Sequence, residues 1–547
     1  MKGKRIFLGV LIFSGLFWAK VMLAQSICAD PIKTEAGAVR GTEDQLSQTC
    51  VWLGIPYAEA PMGDLRWKAP RPAKSWEGVR EADQWGPQCL QVSSPLKTEQ
   101  KDEADRSSED CLYLNIWRPK NQDRLRLLPV MIWIHGGGYT MGSGKYPGGR
   151  LAEFGEVIVV SINYRLNTFG FLATPALRLE DPNQSAGNYG SLDQASAIKW
   201  VHNNIAQFRG DPNNVTIFGE SAGGWSVCTM YATALNQGMF QKAILQSGGC
   251  EASESLETGY EKAEKIAARV GCKIDDLKCL RTAPAEKLIG GGVNDILKEG
   301  FTFVNHWDGY LLKDTALSMI RAGDFNRVPI MAGSTKEEVN FLVMARPRLN
   351  NALPGQYEKL ISRNFNLSPE QASKVAAAYP LSKYNNRPKA AFGYIFTDLA
   401  LACPTYLGLD SASAQSVPTY YYRFDYRGMK GGNFLKAFHS SEIPFVFNSL
   451  DQKPFTLFYD EKNLGPAQQL SKIIQGYWTN FAKTGNPNGD GLPQWPKYQA
   501  NDPSVQILNL QVRTEKSDMK KKCAVWDGYN KTHRPIFESL ARKEKKR

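Results

Sequence analysis

Five short runs of consecutive apolar residues recur along the middle of the chain. Each run is rich in β-branched side chains and does not alternate with polar positions, which is typical of strands buried on both faces of a parallel sheet. Each run therefore predicts one buried strand. The runs are VMIWI (130–134), VIVVSIN (157–163), VTIF (215–218), AILQS (243–247) and VPIMAG (328–333).

Helical periodicity lies between these runs. The segment LDQASAIKWVHNNIAQF (192–208) precedes the third run, and GWSVCTMYATAL (224–235) follows it. Strand and helix in alternation predict an α/β fold with a large, mostly parallel sheet flanked by helices. A later run, TYYYRFDY (419–426), predicts another strand, whereas residues 255–325 and 345–400 are predicted to be mostly helical insertions that cap the sheet.

The N-terminus has the pattern of a secretory signal peptide. A basic start is followed by an apolar stretch over residues 6–19 and by small residues near position 24. Lys20 interrupts the stretch before it reaches the roughly 20 residues that a membrane span needs. We therefore expect residues 1–24 to be cleaved on export, a secreted or periplasmic location, and no further segment able to span a membrane.

Composition places the remaining chain among globular proteins. The full chain has 547 residues, 42% hydrophobic and 22% charged, and no linker, low-complexity tract or repeat marks a boundary. Residues 25–547 are therefore predicted to form one domain with a basic tail, ARKEKKR. The net charge is +12, or +8 without residues 1–24, but no motif interleaves basic and aromatic residues. We expect no nucleic-acid partner, and oligomeric state is not readable.

The stretch IFGESAGGW (217–225) sets Ser221 between two glycines directly after a predicted strand. If a helix follows, Ser221 lies on a sharp turn that needs a positive φ, and Gly219 and Gly223 remove Cβ atoms that would collide across it. Such a turn presents the hydroxyl at the carboxyl end of the sheet, where ligands bind in α/β proteins. Ser221 is the predicted nucleophile.

A serine nucleophile needs a histidine base and a carboxylate that orients this base. In this kind of fold the order along the chain is serine, acid, histidine, which leaves His439 and His533 as the candidate bases downstream of a plausible acid. His533 lies in the polar segment YNKTHRP, whereas His439 follows a predicted strand in a glycine-containing loop. Glu337 and Glu338 both follow the strand at 328–333, and spacing alone does not choose between them.

Three successive glycines in IHGGGY (134–139) follow the strand at 130–134. Glycines let backbone N–H groups face a cavity with no side chain in the way, as an oxyanion hole requires. The predicted donors are the N–H groups of Gly137 and Gly138, joined by that of Ala222 after the nucleophile.

These motifs together resemble the type-B carboxylesterase family, which includes cholinesterases and bacterial para-nitrobenzyl esterases. The resemblance extends from about residue 31 to 530. Besides HGGGY, FGESAGG and AILQSGG, it rests on the motifs GIPYAEAPMGDLRW (54–67), EDCLYLNIW (109–117), NYRLNTFGFL (163–172), GNYGSLDQ (187–194), KEEVNFL (336–342) and FHSSEIPFVF (438–447).

The resemblance implies an α/β-hydrolase fold and a triad of Ser221, Glu338 and His439, with no cofactor or metal. Glu338 is selected because the family acid lies in a K-D-E-G segment, which matches residues 336–339 here. Two departures occur in that segment, Glu337 for Asp and Val339 for Gly. A β-branched residue such as Val339 is poorly suited to a glycine-only backbone angle after the acid.

Ten cysteines in an exported chain indicate disulfides, because no C-x-x-C pair with zinc spacing occurs. The resemblance implies three pairs: Cys89–Cys111, Cys272–Cys279 and Cys403–Cys523. The other four cysteines can pair as Cys28–Cys50 and Cys228–Cys250, or remain buried thiols.

The expected substrate is a small uncharged aryl or alkyl ester. Cholinesterases hold a quaternary ammonium with an aromatic residue on the loop closed by the first disulfide, and residues 90–110 contain no aromatic side chain here. Tyr139 and Trp225 are candidates for lining the pocket, although Trp225 could equally be core. Amides, lactones and bulky phenolic esters remain alternatives. A non-catalytic binding protein is the other alternative, against which the complete triad argues.

Overall fold

The computed structural model describes residues 27–91, 107–120, 126–289, 303–340, 343, 349 and 351–527. The predicted signal peptide (1–24), His533, the basic tail and most of the loop at 90–110 lie outside the described residues.

An 11-stranded sheet is the central element of the described chain. Its spatial order is β1-β2-β3-β5-β4-β6-β7-β8-β9-β10-β11, numbered along the sequence. The strands are β1 (Thr42–Glu43), β2 (Thr49–Pro56), β3 (Tyr113–Pro119), β4 (Leu128–Ile134), β5 (Ile158–Ile162), β6 (Gly210–Glu220), β7 (Lys242–Gln246), β8 (Ile330–Thr335), β9 (Thr419–Phe424), β10 (Ser504–Leu508) and β11 (Arg513–Lys516).

The centre of this sheet is parallel, as the uninterrupted apolar runs predict. Neighbouring strands from β5 through β4, β6, β7, β8 and β9 to β10 run parallel, while the pairings at both edges are antiparallel. Every side chain of β4 and β7 is buried, because helices cover both faces of a parallel sheet. The mostly parallel α/β sheet is thus confirmed.

Helices connect the strands and cover the sheet. Those of ten or more residues are α1 (Tyr189–Asn204), α2 (Ala222–Ala232), α3 (Leu256–Arg269), α4 (Pro369–Ala378), α5 (Pro388–Thr397), α6 (Cys403–Ala414) and α7 (Leu464–Thr484). The shorter ones are Gly149–Gly155, Asn167–Phe171, Pro175–Glu180, Leu277–Thr282, Ala285–Leu288, Ala316–Ala322, Tyr357–Phe365, Gly432–Leu435, Ile443–Val446 and Met519–Ala524.

The two predicted insertions are mostly helical where the structure describes them. A short parallel pair of strands, Ser253–Ser255 with Asn305–Trp307, joins the start of the first insertion to a later part of it, and the sequence analysis did not predict this pair. In the second, a π-helical stretch (Asp398–Ala402) joins α5 to α6 into one helix, Pro388–Ala414, that is long and apolar enough to cross a membrane. The expectation that no such segment follows residue 24 was wrong in that respect, but 83% of the helix's most apolar window is buried inside the protein.

All ten cysteines form disulfides. The three pairs implied by the family resemblance are present, and so are Cys28–Cys50 and Cys228–Cys250, which the sequence left open. Cys228–Cys250 ties α2 to the segment after β7, so it braces the helix that follows Ser221.

Candidate active site

Ser221 lies on the predicted turn between a strand and a helix. Strand β6 ends at Glu220, α2 begins at Ala222, and Ser221 between them has φ 60° and ψ −124°. A Cβ atom on Gly219 would come within 2.6 Å of the Ile134 carbonyl oxygen, and one on Gly223 within 2.0 Å. Glycine at both positions is therefore required for the strand and helix to meet this closely.

His439 and Glu338 meet close to this turn. His439 Nδ1 lies 2.6 Å from Glu338 Oε2, and the His439 backbone N–H donates to the Glu338 carbonyl. The other carboxylate oxygen, Oε1, accepts hydrogen bonds from Ser247 Oγ and from the Thr335 N–H, both at 2.7 Å. Glu338 has no exposed surface, so its orientation toward the imidazole is fixed by these contacts.

Glu337 points elsewhere, although it is the adjacent residue. Its carboxylate pairs with Arg427 and accepts hydrogen bonds from the Tyr394 hydroxyl at 2.7 Å and from the Ala437 N–H at 3.2 Å. The geometry thus distinguishes two acids that spacing alone could not. Val339 is not among the residues with positive φ, so the loop does not need the glycine-only angle that its sequence put in question.

The sequence analysis missed two further carboxyl groups near His439. Glu220 Oε1 lies 3.3 Å from His439 Nε2 and accepts a hydrogen bond from Ser440 Oγ at 2.6 Å. Glu442 is buried nearby and accepts from Gln246 Nε2 at 3.5 Å. Glu220 could have been identified from its position inside the G-E-S motif, whereas no motif spacing pointed to Glu442.

These carboxyls control the charge of the imidazole. Burial disfavours the charged form of His439, but Glu220, Glu338 and Glu442 outweigh it and raise the pKa of His439 above its usual value. Burial likewise raises the pKa of Glu220, and burial together with the nearby Glu220 and Glu338 raises that of Glu442. When Glu220 or Glu442 takes up a proton, its negative charge no longer stabilises the imidazolium form of His439, so the protonation states of these groups depend on one another.

The glycine loop after β4 lies against the serine turn. A Cβ atom on Gly136 would come within 3.0 Å of Ser221 Cβ, and Gly137 and Gly138 have φ of 106° and 62°. Within the part of the chain that the structure describes, the backbone N–H groups of Gly137, Gly138 and Ala222 donate to no protein acceptor. Unpaired donors beside a serine hydroxyl are what an oxyanion hole requires.

The two aromatic pocket candidates differ in their surroundings. Trp225, one helical turn from Ser221, is buried and lines a narrow crevice together with Cys250 and Leu312. Tyr139 has no exposed surface, and its hydroxyl accepts a hydrogen bond from Ser226 Oγ at 3.1 Å. Both side chains therefore lie in the core in this structure, and Trp225 additionally borders the crevice.

Two of the other described histidines, His135 and His306, have partners of their own away from Glu338. His135 stacks on Tyr164 with ring centroids 4.3 Å apart, and burial lowers its pKa to about 4. His306 Nε2 lies 3.3 Å from Glu254 Oε1. Among the described residues, no group of three or more His, Cys, Asp or Glu side chains is arranged to hold a metal ion.

Comparison with known proteins gives one consistent result. The sequence profile of the Carboxylesterase family matches residues 29–526. The para-nitrobenzyl esterase of Bacillus subtilis is 35% identical over 502 residues, covering 90% of this chain and 97% of that protein. The fumonisin B1 esterase of Sphingopyxis macrogoltabida is 34% identical over 476 residues, covering 85% and 84%.

Comparison with solved structures also finds esterases. A carboxylesterase of Geobacillus stearothermophilus, in its structure at pH 6.2, superposes with a TM-score of 0.78 at 33% identity, covering 91% of this chain and 99% of that one. A thermophilic para-nitrobenzyl esterase gives a TM-score of 0.76 at 33% identity, with 91% and 100% covered.

Proposed function

Because the chain belongs to the carboxylesterase family, we propose that it is a secreted serine esterase that acts through Ser221, His439 and Glu338. That the protein is a carboxylic ester hydrolase follows from its family and relatives. The proposal adds the residues that perform the reaction, its course and its location.

The observation that carries the proposal is the pair of contacts on the two sides of His439. Nδ1 faces Glu338 at 2.6 Å, and Nε2 faces Glu220, the residue immediately before Ser221. The imidazole thus spans the space between the buried acid and the serine turn. A carboxylate on Nδ1 keeps the proton there and leaves Nε2 as the base.

The reaction proceeds in two acyl transfers. His439 Nε2 takes the Ser221 proton as Ser221 Oγ attacks the ester carbonyl, and Gly137, Gly138 and Ala222 N–H groups stabilise the oxyanion of the tetrahedral intermediate. His439 then gives the proton to the departing alcohol, which leaves an acyl-Ser221. Water, deprotonated by His439, attacks this ester, and His439 returns the proton to Ser221 Oγ as the carboxylic acid leaves, which regenerates the free enzyme.

A secretory location is supported by the disulfides. Five bridges within one chain are typical of proteins that fold in an oxidising compartment, and residues 1–24 have the pattern of a signal peptide.

The test is hydrolysis of para-nitrophenyl esters from acetate to octanoate by the wild type and by Ser221→Ala. Loss of the nucleophile is expected to reduce kcat by roughly 10⁶-fold, as in other serine hydrolases. Ser411→Ala, a buried serine on α6, is the matched control and should retain full activity. Substantial turnover by Ser221→Ala would refute the assignment of the nucleophile.

The same assay separates the substrate alternatives. Feruloyl and galloyl esters, a lactone series and anilides are tested beside the acyl series. A wild type that acts on none of the simple esters but on one of these would restrict the proposal to that class. Turnover of none of them would favour the non-catalytic alternative.

A further inference from the structure

A fully buried group of hydrogen-bonding side chains connects the glycine loop to the nucleophile helix. Tyr139 follows Gly138 directly and has φ 57°, so its backbone continues the loop that carries two proposed oxyanion donors. Its ring packs against Phe171, with centroids 4.6 Å apart, and against Trp225 at 5.8 Å.

The Tyr139 hydroxyl reaches α2. It accepts a hydrogen bond from Ser226 Oγ at 3.1 Å, and Ser226 Oγ lies 2.9 Å from the carbonyl oxygen of Ala222, the residue of the third donor. Gln194 Nε2 on α1 donates to Ser226 Oγ at 2.9 Å. One side chain on α2 is therefore within hydrogen-bond distance of both segments that supply oxyanion donors.

Asn305 contacts both α2 and the Tyr139 hydroxyl. Its Nδ2 lies 2.9 Å from Thr229 Oγ1 on α2 and 3.5 Å from the Tyr139 hydroxyl, and its Oδ1 accepts from Ser191 Oγ at 2.6 Å. Tyr139, Ser226 and Asn305 have no exposed surface. Hydrogen bonds in such a dry environment are stronger than at the surface, and leaving one unmade is costly.

The physical need for this group comes from the loop itself. Three consecutive glycines have wide conformational freedom, yet oxyanion donors act only when held within about 0.5 Å of the productive geometry. The loop and the start of α2 come from different segments of the chain, so their spacing must be set by contacts between them.

We propose that Tyr139, Ser226 and Asn305 form a positioning unit that sets the spacing between the two halves of the oxyanion hole. The unit touches no reacting atom and acts through Gly137, Gly138 and Ala222. It rests on the proposed function, and it predicts that removing the Tyr139 hydroxyl lowers kcat while KM stays unchanged. A residue that lines the pocket would instead change KM.

The experiment compares Tyr139→Phe and Ser226→Ala with the wild type on para-nitrophenyl butyrate. It also measures inhibition by an alkyl trifluoromethyl ketone, whose hemiketal oxygen occupies the oxyanion position. Because a misplacement of about 1 Å can cost 10²-fold, a loosened hole is expected to lower kcat about tenfold or more, with a matching loss of ketone affinity. KM should remain within about twofold of the wild-type value.

Tyr231→Phe is the matched control. Tyr231 also lies buried on α2, and its hydroxyl donates to the Val328 carbonyl at 2.9 Å, away from the glycine loop. It should lose stability without loss of kcat or ketone affinity. The double variant Tyr139→Phe/Ser226→Ala removes both hydroxyls of the Tyr139–Ser226 contact, although Gln194 Nε2 still loses its acceptor, so stability is not expected to return to the wild-type value. Its kcat should likewise stay low.

The outcomes separate the two proposals. Wild-type kcat and ketone affinity in both single variants would overturn the positioning unit, as would recovery of kcat in the double variant. If Tyr139→Phe does not fold, Ser226→Ala decides by the same criteria. A wild type that neither hydrolyses the esters nor binds the ketone would overturn the proposed function, and the positioning unit with it.

Discussion

His439 Nδ1 lies 2.6 Å from Glu338 Oε2, although the two residues are 101 positions apart in the sequence. The contact joins the loop after β8 to the loop after β9, two parallel strands that are neighbours in the sheet. Carboxyl ends of parallel strands meet at one edge of a sheet, so residues distant in sequence come together there.

Replacing each adjacent acid in turn should separate their roles. Glu338→Gln removes the carboxylate that orients His439 and should reduce kcat about 10⁴-fold, as loss of the orienting acid does in other triads. Glu337→Gln leaves that contact intact and should reduce kcat less than about tenfold, because Glu337 binds Arg427 and Tyr394 instead. Steady-state kinetics of the two variants decide this, and equal losses would contradict the assignment.

The pH profile should reveal the carboxyl neighbours of His439. The proposed mechanism needs the neutral imidazole of His439, so kcat/KM should rise with pH around a midpoint above the usual histidine value of about 6.5. Glu220 is the carboxyl that contributes most to this elevation. Glu220→Gln should therefore lower the midpoint by about one pH unit.

The sign for stability is opposite to that for activity. A raised pKa means that imidazolium stabilises the folded state, a contribution fully present below pH ~6.5 and lost as pH rises through the raised pKa. For the kinetic pH profile, Glu515→Gln, at a surface ion pair, is the control and should leave the midpoint of kcat/KM unchanged. An unshifted midpoint in Glu220→Gln would show that Glu220 does not act on the imidazole charge.

The turn at Ser221 should not tolerate a methyl group at Gly223. A Cβ there would overlap the Ile134 carbonyl oxygen at 2.0 Å, so Gly223→Ala should destabilise the protein by about 3 kcal/mol or more and abolish esterase activity. Gly465→Ala, near the start of α7 with no atom within 4 Å of its Cβ, should be neutral or gain up to ~1 kcal/mol. Urea unfolding of both variants provides the comparison, and a stable, active Gly223→Ala would refute the close contact.

The long disulfide should contribute more stability than the short one. Cys403–Cys523 closes a loop with a sequence separation of 120, and Cys272–Cys279 one of 7. Chain-entropy estimates give losses of about 5 and about 2 kcal/mol for replacing each pair by serines. Denaturant unfolding of the two double variants tests this order, and a larger loss for Cys272→Ser/Cys279→Ser would contradict it.

Much of the fold was predictable from local patterns. The five apolar runs and the tyrosine-rich run all became strands of the sheet, with ends shifted by a few residues. The Ser221 turn was predictable because its glycines and strand–helix context are encoded within nine residues. The short strand pair Ser253–Ser255 and Asn305–Trp307 was missed because two strands of three residues carry no periodicity to detect.

The sequence by itself determined the local elements: which segments form strands and helices, where the glycines permit sharp turns, and which residue types are available for catalysis. It did not determine which acid faces His439, because Glu337 and Glu338 differ only in the direction of their side chains, and that direction follows from packing against Arg427 on one side and Ser247 on the other. It also did not reveal Glu220 and Glu442 beside the imidazole, or the buried contact of Tyr139 with Ser226. These relationships join distant segments, and only the tertiary structure decides them, because hydrogen-bond partners are set by proximity in space.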